Sequence, residues 1–216
     1  MEKYEVEKGI EKEKRMKIRV AFFPFVLLLS FLAGSMLSEL VKMSQAADST
    51  LQQTALAIFI LVVSYDVGSK MRSSDIRSIM NQTALLAASC IIGSIVAGLI
   101  FALIIGFNVK LSLGISLGMG WYTFDGPALA GYAGAAAGAM GFFSNFFREL
   151  LTLLFYLPAS AATGRVKAIP MGGATTMDTT LTVMRSENEP RITALAFAHG
   201  ALISLFVPLL VTLAIA

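Results

Sequence analysis

The sequence predicts an all-α integral membrane protein with about five transmembrane helices and two further helical segments that are broken or re-entrant. Its composition is the first observation: 56% of the 216 residues are hydrophobic and only 14% are charged, whereas about a quarter of the residues in a soluble domain are charged. The second is the recurrence of apolar stretches about 20 residues long, which is the length that crosses the hydrocarbon core of a bilayer. Four or five stretches qualify: residues 20–40, 51–69, 80–106, 143–162 and 192–215.

Residues 1–19 precede the first span as a charged leader, and residues 20–216 form the membrane domain. The leader is too densely charged for a secretory signal, and no small-residue cleavage site follows the first apolar run. Its mixture of acidic and basic side chains also lacks the one-sided charge of a nucleic-acid-binding arm. The single cysteine, Cys90, lies in an apolar segment, which excludes a disulfide framework and a thiolate metal site. We therefore expect no nucleic-acid partner, metal or cofactor.

Two apolar stretches do not fit a simple span. Residues 111–141 are too long and are interrupted by "GMGWYTFDGP", and residues 169–185 are too short and are interrupted by "GGATTMD". Glycine and proline loosen a helix, and unpaired backbone at membrane depth is tolerated only inside protein or beside a water-filled cavity. Both stretches are therefore predicted to be broken or re-entrant helices that line a cavity.

The distribution of basic residues predicts the orientation in the membrane, because cytoplasmic loops carry an excess of lysine and arginine. If residues 111–141 dip in from the outside and residues 169–185 from the inside, every basic-rich loop is cytoplasmic. The N-terminus then lies inside and the C-terminus outside. If both stretches cross instead, Arg165 and Lys167 end up outside, so the charges favour the first arrangement. The basic-rich segments are residues 1–19, 70–77, 163–168 and 185–191.

The two interrupted stretches share a short pattern. "GWYTFD" at 120–125 and "GATTMD" at 173–178 both have the form G-x-x-T-x-D. Each is followed about 20 residues later by a span with ionisable side chains. In the favoured topology the two copies enter from opposite faces. That is the layout of inverted-repeat transporters, whose broken helices meet near the bilayer midplane around the substrate. A chance match of so short a pattern is the alternative.

Asp178 and Asp125 end the two copies and are the first candidates for a site. A carboxylate inside a membrane is costly unless it is paired or hydrated, so it indicates function by default. The structural alternative for Asp178 is an N-cap where a broken helix restarts. Asp125 has the same alternative, because Pro127 suits the first turn of a following helix.

Arg148 and Glu149 lie inside a predicted span. Neighbours in a helix point about 100° apart, so they do not simply neutralise each other, and each needs another partner. Arg148 can pair with Asp125 or Asp178 as a fixed counter-ion, while Glu149 faces the cavity and Asn145 offers a neighbouring hydrogen bond. Alternatively, both charged side chains extend to a nearby interface.

Four further side chains are candidates with structural alternatives. His199, the only histidine, can carry a proton near neutral pH or only bridge two helices. Asp66 has Lys70 at i+4, which is typical of a structural pair, although Asp66 can also form an inner gate. Trp121 and Tyr122 can anchor at the interface or present a π face to an ammonium group.

Four segments in this order and at these separations carry a resemblance to a known family: "GMGWYTFDGPALAG", "FFSNFFRELLTLLFYLP", "GGATTMDTTLTVMR" and "AFAHGALISLFVPLLVTLAIA". Together they resemble the lysine exporter family LysO, prokaryotic inner-membrane transporters that move L-lysine and its toxic analogues out of the cell. The resemblance runs from about residue 20 onward. It implies a lysine exporter in the plasma membrane, surrounded by lipid. We expect export in exchange for protons, although the sequence leaves sodium open as the driving ion. The resemblance also supports a substrate or proton site made of Asp178, Glu149, Arg148, His199, Asp125, Asn145, Thr176, Gly173, Trp121 and Tyr122.

The sequence departs from the family in one respect. Typical members carry further spans ahead of the position that corresponds to residue 20, including an intramembrane acidic residue. The resemblance therefore implies a homo-oligomer, such as a dimer, or a small companion membrane subunit.

Lysine presents ammonium groups, which require carboxylates, and an α-carboxylate, which suits the backbone N–H groups at helix starts. We expect Asp178, with Glu149 or Asp125, to bind the cation, and a proton to replace it on the same carboxylate with help from His199. One alternative is a subunit that does not transport. Another is an intramembrane aspartyl protease using Asp66 and Asp125, but "WYTFDG" lacks the Gly-x-Gly-Asp of that class, so we expect no enzyme.

Overall fold

The computed structural model describes residues 73–185 and 189–216, together with isolated helical positions between Leu29 and Ser69. Outside the described residues lie the charged leader and Asp66. The predicted spans 20–40 and 51–69 are described only at those isolated positions. The chain divides into two units, Met1–Ala55 and Leu56–Ala216. The fold and the site described below belong to the second unit.

Within the described part of that unit, every regular element is helical, so the predicted all-α class is confirmed there. Helices α1 and α7 contain the segments that are long and apolar enough to cross a membrane, Arg77–Ile105 and Pro190–Ile215. The predicted total of about five spans stays a prediction. In chain order the elements are α1 Ser73–Ile105, α2 Val109–Leu117, α3 Tyr122–Ala133, α4 Ala135–Thr163, α5 Arg165–Ala168, the 3₁₀ turns Ile169–Met171 and Gly173–Met177, α6 Leu181–Arg185 and α7 Pro190–Ile215.

Helix α4 begins earlier than the sequence predicts. The predicted span starts at residue 143, but the chain reverses at Gly134, whose φ is +85°, and α4 starts immediately after it at Ala135. Alanine is the best helix former, so the alanine-rich run that follows Gly134 extends the helix. The interrupted stretch 111–141 therefore contains α2, α3 and the first turns of α4.

Helix α1 turns a row of small side chains toward the protein and large apolar side chains away from it. The buried positions recur every three or four residues, which is the spacing of one helical face. Small residues at such a face allow helices to approach closely in a membrane, where lipid solvates the large apolar groups. The buried residues are Ile79, Thr83, Ala87, Cys90, Ser94, Gly98 and Ala102, and exposed ones include Leu85, Ile92, Ile100 and Leu103.

Helix α4 buries polar side chains and exposes apolar ones, which is the opposite of a helix in a soluble protein. Its buried face carries polar and small side chains, and its exposed face carries aromatic ones. A helix with its polar face inward and its apolar face outward is suited to lipid surroundings, because buried polar groups then find protein partners. The buried face holds Gly138, Gly141, Asn145, Glu149, Thr152, Tyr156 and Ser160, and the exposed face holds Phe142, Phe143, Phe146, Phe147 and Phe155.

Helix α7 packs directly on the turn Gly173–Met177 through Gly200. A Cβ atom added at Gly200 would meet the Met177 backbone nitrogen, the Thr176 hydroxyl 2.7 Å away and the Ala174 carbonyl oxygen 2.8 Å away. Two of these three atoms belong to the backbone and cannot rotate aside. Gly200 therefore fixes the closest approach of α7 to the interrupted segment.

Gly200→Ala is expected to destabilise the protein by about 1–3 kcal/mol, as overpacking of a filled interior typically does. Gly93→Ala in α1 is the matched control, because its added Cβ would meet nothing within 4 Å while the gain in helix propensity is the same. Thermal unfolding in detergent, followed by circular dichroism, measures both. Equal melting temperatures for the two variants would show that α7 does not lie this close.

Candidate functional site

Both interrupted stretches contain a real break. The first lies between α2 and α3, where Met119 and Gly120 adopt positive φ values of +44° and +94°. The second spans the 3₁₀ turns, where Gly173 has a φ of +60° and Asp178 leaves the helical region with φ −131° and ψ −97°. Interruptions of the helices are therefore present at both glycine-rich patterns, whereas re-entry into the membrane and a cavity lined by these segments stay predictions.

The two breaks touch each other through their backbones. The Ala174 amide donates a hydrogen bond of 2.8 Å to the Met119 carbonyl oxygen. A Cβ atom on Gly120 would lie 3.0 Å from the Gly172 carbonyl oxygen, and one on Gly173 would meet the Met119 carbonyl oxygen. Glycine is needed at these positions because the two chains approach each other without room for side chains.

Asn145 of α4 stabilises the first break by hydrogen bonds to residues on both sides of it. Its side-chain carbonyl accepts a 2.7 Å hydrogen bond from the Gly120 amide. Its amide group donates to Asp125 Oδ2 at 2.7 Å and to the Ile115 and Gly141 carbonyl oxygens at 3.0 Å. One side chain thus joins the end of α2, the break and the first turn of α3.

Arg148, three residues further along α4, stabilises the second break by hydrogen bonds to its main chain. Its guanidinium donates to the Pro170 and Met171 carbonyl oxygens at 2.9 and 3.0 Å, and also to Ser94 and Cys90 of α1 at 3.2 Å. Carbonyl groups at a helix break lack donors within the helix, and the five N–H groups of arginine can satisfy several of them at once.

The predicted ion pair of Arg148 with Asp125 or Asp178 is therefore wrong. The guanidinium binds main-chain carbonyl oxygens instead, because the interrupted segment passes directly beside α4 and exposes them there. The positive charge stabilises the break, and the carboxylates of the site are left without this counter-ion.

Glu149 and Asp178 form an acidic cluster with Tyr122 and Thr179. The Asp178 carboxylate is half-buried and accepts hydrogen bonds from the Thr179 amide at 2.6 Å and from its hydroxyl at 3.3 Å. The Glu149 carboxyl group interacts electrostatically with Thr179 and Asp178. Tyr122 is close to both carboxylates as well. The predicted N-cap role of Asp178 is not seen. Asp178 is the C-cap of the turn Gly173–Met177, and its carboxylate binds the amide of the next residue, Thr179, whereas α6 begins only at Leu181.

One oxygen of the acidic cluster is buried without a hydrogen bond. Glu149 is 7% exposed, and its Oε2 has no partner among the described residues. Because Glu149 lies on the buried face of α4 and Asp178 on the second break, the cluster joins residues that are distant in sequence. The arrangement places two carboxyl groups and one unpartnered carboxyl oxygen in the same part of the fold.

Asp125 shares no hydrogen bond with the described residues of this cluster. It is fully buried, its Oδ2 accepts the bond from Asn145, and its Oδ1 has no hydrogen-bond partner in the described part of the chain. The predicted N-cap role is wrong, because α3 already begins at Tyr122 with Trp121 as its N-cap. The break at Gly120 ends before Asp125, which places that residue inside the first turn.

His199 connects α7 to the second break. It is fully buried, and its Nδ1 lies 3.0 Å from the Thr176 hydroxyl, which donates its own proton to the Gly173 carbonyl oxygen at 3.0 Å. His199 Nδ1 must therefore be the donor to Thr176, and Nε2 is left as the acceptor of the neutral ring. The helix–helix hydrogen bond that the sequence offered as an alternative is present.

The two aromatic candidates pack mainly against other rings. Trp121 lies 5.5 Å from Phe124, and Tyr122 lies edge-on to Phe142 and Phe146 at 5.1 and 5.8 Å between ring centres. Tyr122 also interacts electrostatically with Glu149 and Asp178.

A family model described as lysine exporter LysO matches residues 28–215. The chain belongs to the lysine exporter LysO family. The lysine exporter LysO of Escherichia coli is 28% identical over 190 residues, which cover 86% of this chain and 60% of that relative. A Haemophilus influenzae protein, provisionally named a lysine exporter, is 28% identical over 155 residues, 70% of this chain and 79% of its own length. No solved structure matches.

Sequence reasoning had reached the LysO family but missed several residues of the site. Thr179 follows Asp178 directly and binds its carboxylate, and this adjacency was the available signal. Ser94 and Cys90 were invisible as partners of Arg148, because their roles depend on how α1 packs against α4. Gly118 and Gly141 were also missed, although both lie against the Asp125 carboxyl group.

Proposed function

We propose that this chain forms the substrate-binding part of a secondary transporter that exports L-lysine across the inner membrane in exchange for protons. The observation that carries the proposal is the acidic cluster, in which Glu149 on the buried face of α4 interacts electrostatically with Asp178 of the second break. The names of the two relatives support lysine as the substrate.

The charge balance of the cluster favours a cationic substrate. Two carboxylates inside a membrane domain are costly unless a positive group joins them. Arg148 does not fill this role, because its donors are used by main-chain carbonyl oxygens and by α1. A lysine ammonium group between Glu149 and Asp178 would neutralise the cluster and bind the unpartnered Glu149 Oε2.

The α-carboxylate of lysine can bind at the N-terminus of α3. An α-carboxylate is stabilised by the partial positive charge at a helix N-terminus, and α3 begins at Tyr122, a member of the acidic cluster. The Tyr122 ring can in addition present its face to an ammonium group. One molecule of lysine then contacts both broken segments.

The transport cycle follows from the arrangement of the breaks. In the predicted topology the two segments enter from opposite sides of the membrane, with the N-terminus inside and the C-terminus outside. Rocking of one broken segment against the other would open the acidic cluster to each side in turn. The predicted homo-oligomer or companion subunit belongs to the same proposal.

Transport by the purified chain tests the function. In liposomes that contain the protein in inverted orientation, radiolabelled lysine is expected to accumulate when a pH gradient is imposed and to leak out when the gradient is collapsed. Protein-free liposomes are the control. If the protein binds no lysine and accumulates none, alone or with a companion subunit, the proposal fails. Accumulation by the chain alone excludes the alternative of a subunit that does not transport.

A further inference from the structure

We infer that Asp125 is the proton-binding site of the transporter and is separate from the acidic cluster that binds lysine. This inference rests on the proposed function and refines it. It moves the proton away from the carboxylate at which the sequence suggested direct competition. Its basis is the enclosure of Asp125, the absence of a cation beside it and its connection to the breaks.

The Asp125 carboxyl group is enclosed by backbone on two sides. A Cβ atom on Gly118 would lie 2.6 Å from its Cγ and 2.7 Å from its Oδ2, and one on Gly141 would lie 2.8 Å from the same oxygen. With Asn145 bound to Oδ2 and the whole residue buried, there is no space for an amino acid. A proton on the unpartnered Oδ1 is the ligand that this enclosure admits.

No positive charge faces Asp125 among the described residues. Helix α4 contributes Asn145 and Gly141 beside it, and the end of α2 contributes Gly118.

The charged side chains and the histidine of the helices that pack against α3 have other partners. Lys110 of α2 binds the Ala216 carbonyl oxygen, Arg191 of α7 is exposed and reaches Ser78, and His199 binds Thr176. On α4, Arg148 holds the second break and Glu149 belongs to the acidic cluster. A carboxylate with one amide donor and no cation is expensive to keep ionised away from water, so Asp125 favours the protonated state.

A chain of hydrogen bonds connects Asp125 to the junction of the breaks. Asn145 binds Asp125 with its amide group and the Gly120 amide with its carbonyl group, and the preceding residue, Met119, accepts from Ala174 of the second break. A hydrogen bond to an ionised acceptor is about twice as strong as one to a neutral group. Gain or loss of the Asp125 proton therefore changes how firmly Asn145 holds the first break against the second.

The variant Asp125→Asn mimics a permanently protonated carboxyl group of the same size. In liposomes it is expected to exchange radiolabelled for unlabelled lysine across the bilayer at a reduced rate, and to show no accumulation under a pH gradient. The acidic-cluster variants Glu149→Gln and Asp178→Asn are expected to lose both lysine exchange and lysine accumulation. Accumulation by Asp125→Asn would overturn the inference, and so would loss of exchange in a correctly folded variant, since Asp125 would then belong to the lysine site.

A second measurement keeps the inference testable if Asp125→Asn does not fold. Infrared spectra of protein with ¹³C-labelled aspartate, in the Asp178→Asn background, are expected to show the C=O stretch of a protonated aspartate that exchanges slowly in D₂O. Absence of this band at neutral pH would refute a protonated Asp125. If the wild-type chain neither exchanges nor accumulates lysine, the proposed function fails, whereas absence of the infrared band still refutes a protonated Asp125.

Discussion

Lysine transport is expected to fall by about 100-fold or more when Asp178 is replaced by Asn, because removing one partner of a buried charge pair costs about 3–5 kcal/mol. The amide has the size of the carboxylate and its oxygen can still accept from the Thr179 amide, so the second break keeps its local bond. What disappears is half of the negative charge that Glu149 and Asp178 present together. Radiolabelled lysine flux in liposomes measures the loss, and Glu149→Gln is expected to give the same result.

Glu189→Gln is the matched control for these two variants. It makes the same change from acid to amide, but Glu189 is exposed, and its partner is Arg165 at 2.8 Å on the surface. Exposed ion pairs contribute little to stability, so lysine flux and melting temperature are expected to stay at the wild-type values. Wild-type flux in a correctly inserted Asp178→Asn protein would mean that the acidic cluster is not the lysine site.

Arg148→Lys is expected to destabilise the protein strongly even though the charge is retained. A lysine ammonium cannot span the Pro170 and Met171 carbonyl oxygens and the α1 side chains at once, and each lost hydrogen bond to a charged group costs about 1.5–3 kcal/mol. The second break then loses its support beside the acidic cluster, so lysine flux falls as well. The melting temperature in detergent and the flux in liposomes measure the two effects.

The outcome of Arg148→Lys separates two roles for this residue. Arg191→Lys is the control, because Arg191 is exposed and makes a single long contact of 3.4 Å with Ser78. A counter-ion for Asp125 or Asp178 would tolerate lysine, so an Arg148→Lys variant as stable and active as Arg191→Lys would restore the role predicted from the sequence.

The breaks and the main helices could be predicted because their signals are local. Long apolar runs predict α1 and α7, and glycine and proline at 118–127 and 170–173 mark the interruptions. The shared G-x-x-T-x-D pattern also suggested that the two breaks belong together. Their direct contact, from Met119 to Ala174, agrees with that expectation. The start of α4 was placed too late because apolar length defines a span but not the helix that continues beyond it.

The hydrogen-bond partners of the polar residues could not be predicted from the sequence. Arg148 was expected to seek a carboxylate, since charge is visible in the sequence, whereas unpaired carbonyl oxygens appear only once the break is folded beside α4. Asp125 and Asp178 follow the same pattern but differ in surroundings: Asp125 is enclosed by Gly118 and Gly141, and Asp178 lies half-buried beside Glu149. That difference depends on tertiary packing, which separates two residues that look equivalent along the chain.

Solid-state NMR of bound lysine tests most directly whether the broken helices present one cation site. The protein carries ¹³C in its glutamate and aspartate carboxyl groups, and the lysine carries ¹⁵N in its side-chain ammonium group. Dipolar coupling of that nitrogen to one glutamate and one aspartate carboxyl carbon is predicted, corresponding to Glu149 and Asp178. Bound lysine whose ammonium nitrogen couples to neither type of carboxyl carbon would contradict the account.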